Sequence, residues 1–106
     1  MIVASTPENL RAWLEPTPES LRFRGRPDDP RLGEWVRFHW PEGHTRRKRV
    51  AIVGMPDDTG VTRNRGRAGA KGGPAAIRRH FFRFAMPMDF VWENGLELYD
   101  VGDVRP

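Results

Sequence analysis

Residues 49–79 constrain this chain more than any other stretch, because a short apolar run (Val50, Ala51, Ile52, Val53) opens there into a glycine- and arginine-rich loop that feeds a helix. Four β-favouring or small residues flanked by Arg49 and Gly54 predict a strand buried on both faces, as in a parallel sheet. Met55-Pro56 ends it. Gly66, Gly69, Gly72 and Gly73 permit positive φ and close backbone approach, so the loop can fold back over the strand end. Pro74 suits the first turn of a helix, where its missing N–H costs nothing, and Ala75, Ala76 and Ile77 extend that helix. Ile77, Phe81 and Phe84 follow helical spacing and predict the buried stripe, with Arg78, Arg79 and Arg83 off it and Pro87 as the stop. Residues 96–101 read as a second strand ending in Gly102-Asp103, which completes one βαβ unit. Asn94-Gly95 is a competing hairpin signal that would pair residues 90–92 with 96–98. The parallel pairing of residues 96–101 with 50–53 is the expectation.

Read in order, Gly60-Val61-Thr62-Arg63-Asn64-Arg65-Gly66-Arg67-Ala68-Gly69-Ala70-Lys71-Gly72-Gly73-Pro74-Ala75-Ala76-Ile77-Arg78-Arg79 resembles the N-terminal strand-loop-helix of the ureohydrolase family of arginases, agmatinases and formimidoylglutamases. The core from Arg63 to Arg67 looks most like the formimidoylglutamase branch. The resemblance implies an α/β fold, with this chain as the N-terminal part of a three-layer α/β/α arginase-like domain around a mainly parallel sheet. Residues 1–48 would be an N-terminal extension of short helices and turns, and 49–106 the first strand-loop-helix-strand of that domain. It further implies two manganese ions in the complete protein, a metal-bridging hydroxide that attacks the amidine or guanidine carbon of a small-molecule substrate, and homo-oligomeric assembly. The family's metal ligands come from a Gly-Gly-Asp/Asn-His segment, an Asp-Ala-His-x-Asp segment and a Ser-x-Asp-x-Asp segment. None occurs in this sequence, which stops at Pro106. The chain by itself is therefore expected to carry no catalytic residue and no metal ligand, to bind manganese no better than millimolar, and to be inactive.

The resemblance places the arginine loop at the rim of the active-site cleft, and Arg63, Asn64 and Arg67 are its substrate-binding candidates. If the loop is locally extended, Arg63, Arg65 and Arg67 share a face, an arrangement that needs an anion or a carboxylate to neutralise it. Either they bind such an anion, or they pair with acids such as Asp57, Asp58 and Asp103 to hold the loop in place. Asn64 fits both roles, since it tolerates unusual backbone angles and can hydrogen-bond a ligand. Asp57-Asp58 follows a strand end, where catalytic carboxylates occur in α/β folds, but adjacent acids point apart and a turn or capping role is preferred.

Composition narrows the alternatives. A net charge of +4 is modest, and all but Lys48 and Lys71 of the 18 basic residues are arginine, whose planar fork suits carboxylate or phosphate. The run Arg46-Arg47-Lys48-Arg49 reads as the solvated lead-in to a strand rather than a nucleic-acid patch, as no RNA- or DNA-binding motif accompanies it. A small basic module binding nucleic acid or an acidic protein, and a non-catalytic family relative, are the alternative functions. His39, His44 and His80 lack metal-site spacing, and the glycines match no nucleotide-binding loop. No apolar run approaches the ~18 residues of a membrane span, and the absence of cysteine fits a reducing, cytoplasmic setting. With two predicted strands, 106 residues cannot build a parallel sheet covered on both faces.

The first 48 residues are read from turn chemistry. Thr6-Pro7-Glu8 predicts a short helix through Leu14 that buries Leu10, Trp13 and Leu14, and Thr17-Pro18-Glu19 predicts a single turn. Residues 25–33 are turn residues throughout, and residues 34–38 alternate weakly like an edge strand.

Overall fold

The computed structural model describes residues 7–85 and 95–105. In chain order the elements are α1 (Pro7–Ala12), β1 (Leu14–Glu15), a 3₁₀ turn (Glu19–Leu21), α2 (Leu32–Trp35), β2 (Lys48–Gly54), α3 (Thr59–Arg63), a second 3₁₀ turn (Ala70–Gly72), α4 (Gly73–Phe81) and β3 (Leu96–Val104). The fold is α/β with a small mixed sheet in the order β1-β3-β2. β2 runs parallel to β3, from Lys48 opposite Leu96 to Gly54 opposite Asp103, with a bulge between Ile52 and Val53. That is the expected parallel pairing; residues 90–92, the hairpin partner, lie outside the described residues. On the other edge of β3, β1 pairs antiparallel through Leu14–Val104 and Glu15–Asp103. Higher on that edge Arg37 makes one parallel bridge, donating its N–H to the Leu98 carbonyl (2.9 Å) and accepting from Asp100 N (2.8 Å).

β3 is the spine because successive side chains alternate between two covered faces. On one face Leu98 joins Leu32, Val36 and the fully buried Phe82 in the core, with Phe38 edge-on to Phe82 at 5.4 Å. Residues 31–33 are stitched to the end of α4 by Leu32 N to the Phe84 carbonyl (2.8 Å) and Gly33 N to the Phe82 carbonyl (3.0 Å). Gly33 has to be glycine, since a Cβ would run into the Phe23 carbonyl.

The opposite face of β3 is polar and satisfied. Glu97 accepts from Arg49 Nε (3.1 Å) and from the buried Tyr99 hydroxyl (2.9 Å), and pairs with Arg37 at 3.4 Å. Arg49 also donates to the Glu42 and Gly43 carbonyls, so this member of the basic run is structural. The hydrogen bond from Arg49 is the main reason the Glu97 carboxyl lies below its ordinary value of 4.5, with Tyr99 and the charge of Arg37 adding to it against the cost of burial. A depressed carboxylate stabilises the fold above its unfolded pKa and stops doing so as pH falls through its folded pKa. The stability gap between the native chain and Glu97→Gln should therefore be widest at neutral pH and close as pH drops below 4.5. Urea melts across that range measure it, and a gap independent of pH would show that Glu97 titrates normally.

Several burial expectations are corrected. Ile77 is 67% exposed and Phe84 58%, whereas Phe82 is buried and Phe81 only partly so. The helix is turned so that Arg78, expected outside, faces in, at 3% exposure. Buried acids beneath that position reward an arginine more than the core rewards Ile77. Val50 and Val53 are exposed, and among the described residues β2 is an edge strand paired with β3 alone. α1 stops at Ala12, Leu14 enters β1, and Leu10 and Trp13 are exposed rather than buried. Residues 32–35 form a helical turn where an edge strand was expected, and only Arg37 reaches the sheet.

Candidate functional site

In open α/β sheets, ligands bind beyond the carboxyl ends of parallel strands. β2 and β3 end side by side here, Gly54 opposite Asp103. A Cβ on residue 54 would collide with the Asp103 carboxylate and crowd Pro74, so glycine lets the end of β2, the start of α4 and Asp103 meet at one point.

Arg78 ties this point together. Its Nε and Nη2 grip Asp100 Oδ2 (2.9 Å) and Oδ1 (3.0 Å), its Nη1 donates to Asp103 Oδ1 (2.6 Å), and Nη2 also reaches the Gly102 carbonyl (3.1 Å). Thr17 adds its hydroxyl to Asp100 Oδ2 at 2.9 Å, and the Gly102 amide donates to Asp100 Oδ1 at 3.0 Å. Burial opposes the charge of Arg78, but hydrogen bonds to Asp100 and Asp103 outweigh it and hold the guanidinium above its ordinary pKa. Gly102 sits at φ 96°, and a Cβ there would strike the Glu15 carbonyl, so the chain turns past β1 only without a side chain. Sequence reasoning missed Arg78, Asp100 and Thr17. The signal was present: two acids at a strand end, Asp100 and Asp103, require a cation, and the preceding helix supplies one.

The arginine loop leaves the carboxyl end of β2. It is not extended, as the shared-face reading of Arg63, Arg65 and Arg67 required. Residues 59–63 coil into α3, and the chain leaves it through Arg65 at φ 58°, with Arg65 N on the Thr62 carbonyl (3.0 Å) and Gly66 N on the Val61 carbonyl (2.8 Å). These paired bonds form a Schellman ending, with arginine in the left-handed seat that glycine usually takes. Arg63 lies in the last turn, Asn64 caps it, and Arg67 follows; all three are exposed. Among the described residues, Arg63, Arg65 and Arg67 form no salt bridge, because Asp103 is taken by Arg78 and the two strand-end aspartates serve the backbone.

Asp57 Oδ1 accepts from the hydroxyl (2.7 Å) and the amide (2.9 Å) of Thr59, and these bonds, with a smaller contribution from the charge of Arg63, hold its carboxyl below the ordinary 3.8. Asp58 Oδ1 accepts from the amides of Gly69 (3.1 Å) and Lys71 (2.8 Å), closing the loop's two ends on each other. Asp58→Ala should speed hydrogen exchange at Gly69 and Lys71 by about tenfold or more, the loss of charge-assisted bonds worth ~1.5–3 kcal/mol. Asp58→Asn, which keeps an acceptor oxygen, should do less. Unchanged exchange in the alanine variant would mean that the loop is held from elsewhere.

Among the described residues no three histidine, aspartate or glutamate side chains converge as a metal ion requires. His39 lies edge-on to Tyr99 at 5.6 Å, and His44 and His80 are exposed. The described residues do not fit a two-manganese centre.

No family model matches the chain, and no solved structure does. Among curated proteins it is 40% identical over 89 residues to a formimidoylglutamase of Aeromonas hydrophila, covering 78% of this chain and 26% of that protein. It is 33% identical over 97 residues to one of Photobacterium profundum (91% of this chain, 23% of that protein). A third, from Aeromonas salmonicida, is 42% identical over 88 residues (77% and 26%). This chain is formimidoylglutamase-like and a relative of the ureohydrolase family. It corresponds to the N-terminal region of these proteins and spans about a quarter of their length. Within the formimidoylglutamase-like chain, Gly54, Asp103 and Arg78 meet at the strand ends, and the arginine loop begins just beyond Gly54. Among the described residues no helix is long and apolar enough to cross a membrane.

Proposed function

We propose that this chain supplies the opening strand-loop-helix-strand of a manganese-dependent ureohydrolase that cleaves a C–N bond in a linear amidine or guanidine, with an N-formimidoyl amino acid as the substrate class. Residues 49–106 would open a three-layer α/β/α domain with a mainly parallel sheet, behind an extension formed by residues 1–48. A cytoplasmic, homo-oligomeric enzyme belongs to the same proposal.

The similarity to formimidoylglutamases carries this reading, and two structural features support it. First, among the described residues β2 is paired on one side only, and Val53, Met55 and Ile77 are exposed around a shallow apolar cavity of about 280 Å³ beside Pro74. An unpaired edge beside an apolar face is where further strands and helices add to a sheet. Second, the loop at the strand ends offers Arg63, Asn64 and Arg67 without partners among the described residues, which suits recognition of a substrate carboxylate. The role of this chain is then to scaffold and to bind; the water-activating metal ligands would come from other parts of such an enzyme, and the chain by itself would be inactive.

A chimera tests the proposal. The matched segment of the Aeromonas hydrophila formimidoylglutamase is replaced by this chain, and hydrolysis of N-formimidoylglutamate is assayed with manganese. The expected result is a folded, active chimera beside an inactive isolated chain. A chimera that folds and binds manganese yet has no activity would sink the proposal, and salt-sensitive retention of the isolated chain on heparin would favour the basic-module alternative.

A further inference from the structure

Far from the strand ends, residues 23–31 and the end of α4 enclose a cavity of about 440 Å³ lined by Phe23, Arg24, Arg26, Asp29, Arg31 and Arg83. Four arginines thus line one concavity with one aspartate. The walls are built rather than draped. Arg83 sits over the Phe23 ring at 4.5 Å and its Nε donates to the Arg79 carbonyl (3.1 Å), and among the described residues its terminal nitrogens donate no hydrogen bond. Arg31 Nη2 pairs with Asp29 at 2.5 Å while Nη1 donates to the Arg83 carbonyl (3.1 Å), locking the two segments together. Asp29 N closes a turn on the Arg26 carbonyl (2.9 Å), and at Gly25 a Cβ would collide with the Asp29 carbonyl, so the turn folds tightly enough to swing Arg24 and Arg26 to the rim. Among the described residues, neither Arg24 nor Arg26 donates a side-chain hydrogen bond or forms a salt bridge, although Asp28 and Glu34 are near in sequence.

We propose that this cavity is a binding site for a small polyanion carrying at least two phosphate or carboxylate groups. Like charges held together in one concavity repel unless an anion neutralises them, and arginine forks bind oxyanions in two-point fashion. The volume falls in the usual range for small-molecule pockets, and the Phe23 ring gives the ligand an apolar wall. The site shares no residue with the arginine loop or the Arg78 cluster, so it stands independently of the proposed enzyme function.

Calorimetric titration of the 106-residue chain with inorganic pyrophosphate, and separately with citrate, tests the site and distinguishes phosphate from carboxylate preference. One-to-one saturable binding is expected for at least one of them. Arg24→Gln/Arg26→Gln should weaken it by about tenfold or more. The control Arg46→Gln/Arg47→Gln removes the same charge from an exposed stretch elsewhere and should change the affinity by less than about twofold. Both pairs are exposed, so circular dichroism should be unchanged. Binding of several anions per chain, equal losses in both variants, or no saturable binding of either probe would overturn the proposal.

Discussion

Replacing Arg78 with alanine should destabilise the protein by ~3–5 kcal/mol, a large part of the roughly 5–15 kcal/mol by which a domain is stable. The cost arises chiefly from what is left behind. The Asp100 side chain is fully buried, and without the guanidinium it keeps only the Thr17 hydroxyl and the Gly102 amide as donors. Asp103 loses its partner at the same time, so the tie between the end of β3 and α4 is lost and the segment around Thr17 is no longer held to α4 through Asp100. A buried pair replaced as a unit by apolar groups is far less costly than a pair broken on one side. Arg78→Met combined with Asp100→Leu should accordingly recover much of the loss. Urea denaturation followed by tryptophan fluorescence gives both values, and an Arg78→Ala variant within about 1 kcal/mol of the native chain would show that water or another cation replaces the guanidinium.

The second large effect is expected in the complete enzyme carrying this loop. If Arg63 and Arg67 hold a substrate carboxylate remote from the reacting amidine, alanine at either position removes binding that is equal in the ground and transition states. KM should then rise by tenfold to a hundredfold with kcat little changed, as expected for a charge-assisted interaction of ~1.5–3 kcal/mol. Lysine should rescue only part, because it keeps the charge and loses the fork. The competing role, holding the loop in place, has a different signature: activity would fall in step with thermal stability. The absence of salt bridges to Arg63 and Arg67 among the described residues favours the binding role. A stable variant with unaltered KM would remove that arginine from the substrate-binding set.

Local signals carried much of the strand-end architecture. The apolar run before Gly54, the proline in the first turn of α4 and the run from Leu96 into Gly102-Asp103 each express a backbone preference that neighbouring residues cannot easily override. The arginine loop was legible as a motif but not in its conformation. Alternation of Arg63, Arg65 and Arg67 presumes extended backbone, whereas the Schellman ending of α3 depends on Arg65 accepting a left-handed angle that its residue type disfavours.

What the sequence determined by itself was therefore the strand-loop-helix-strand order from β2 to β3 and the kinship of the loop, both carried by runs of neighbouring residues, and the parallel pairing of β2 with β3 that this order implies. Tertiary structure alone decided which face of α4 is buried. Apolar spacing pointed to Ile77, but partners distant in sequence, Asp100 and Asp103 across the sheet end and Thr17 from the N-terminal segment, make a buried Arg78 the favourable choice. A charge can be buried only where its partners converge, and that convergence becomes visible once the chain has folded.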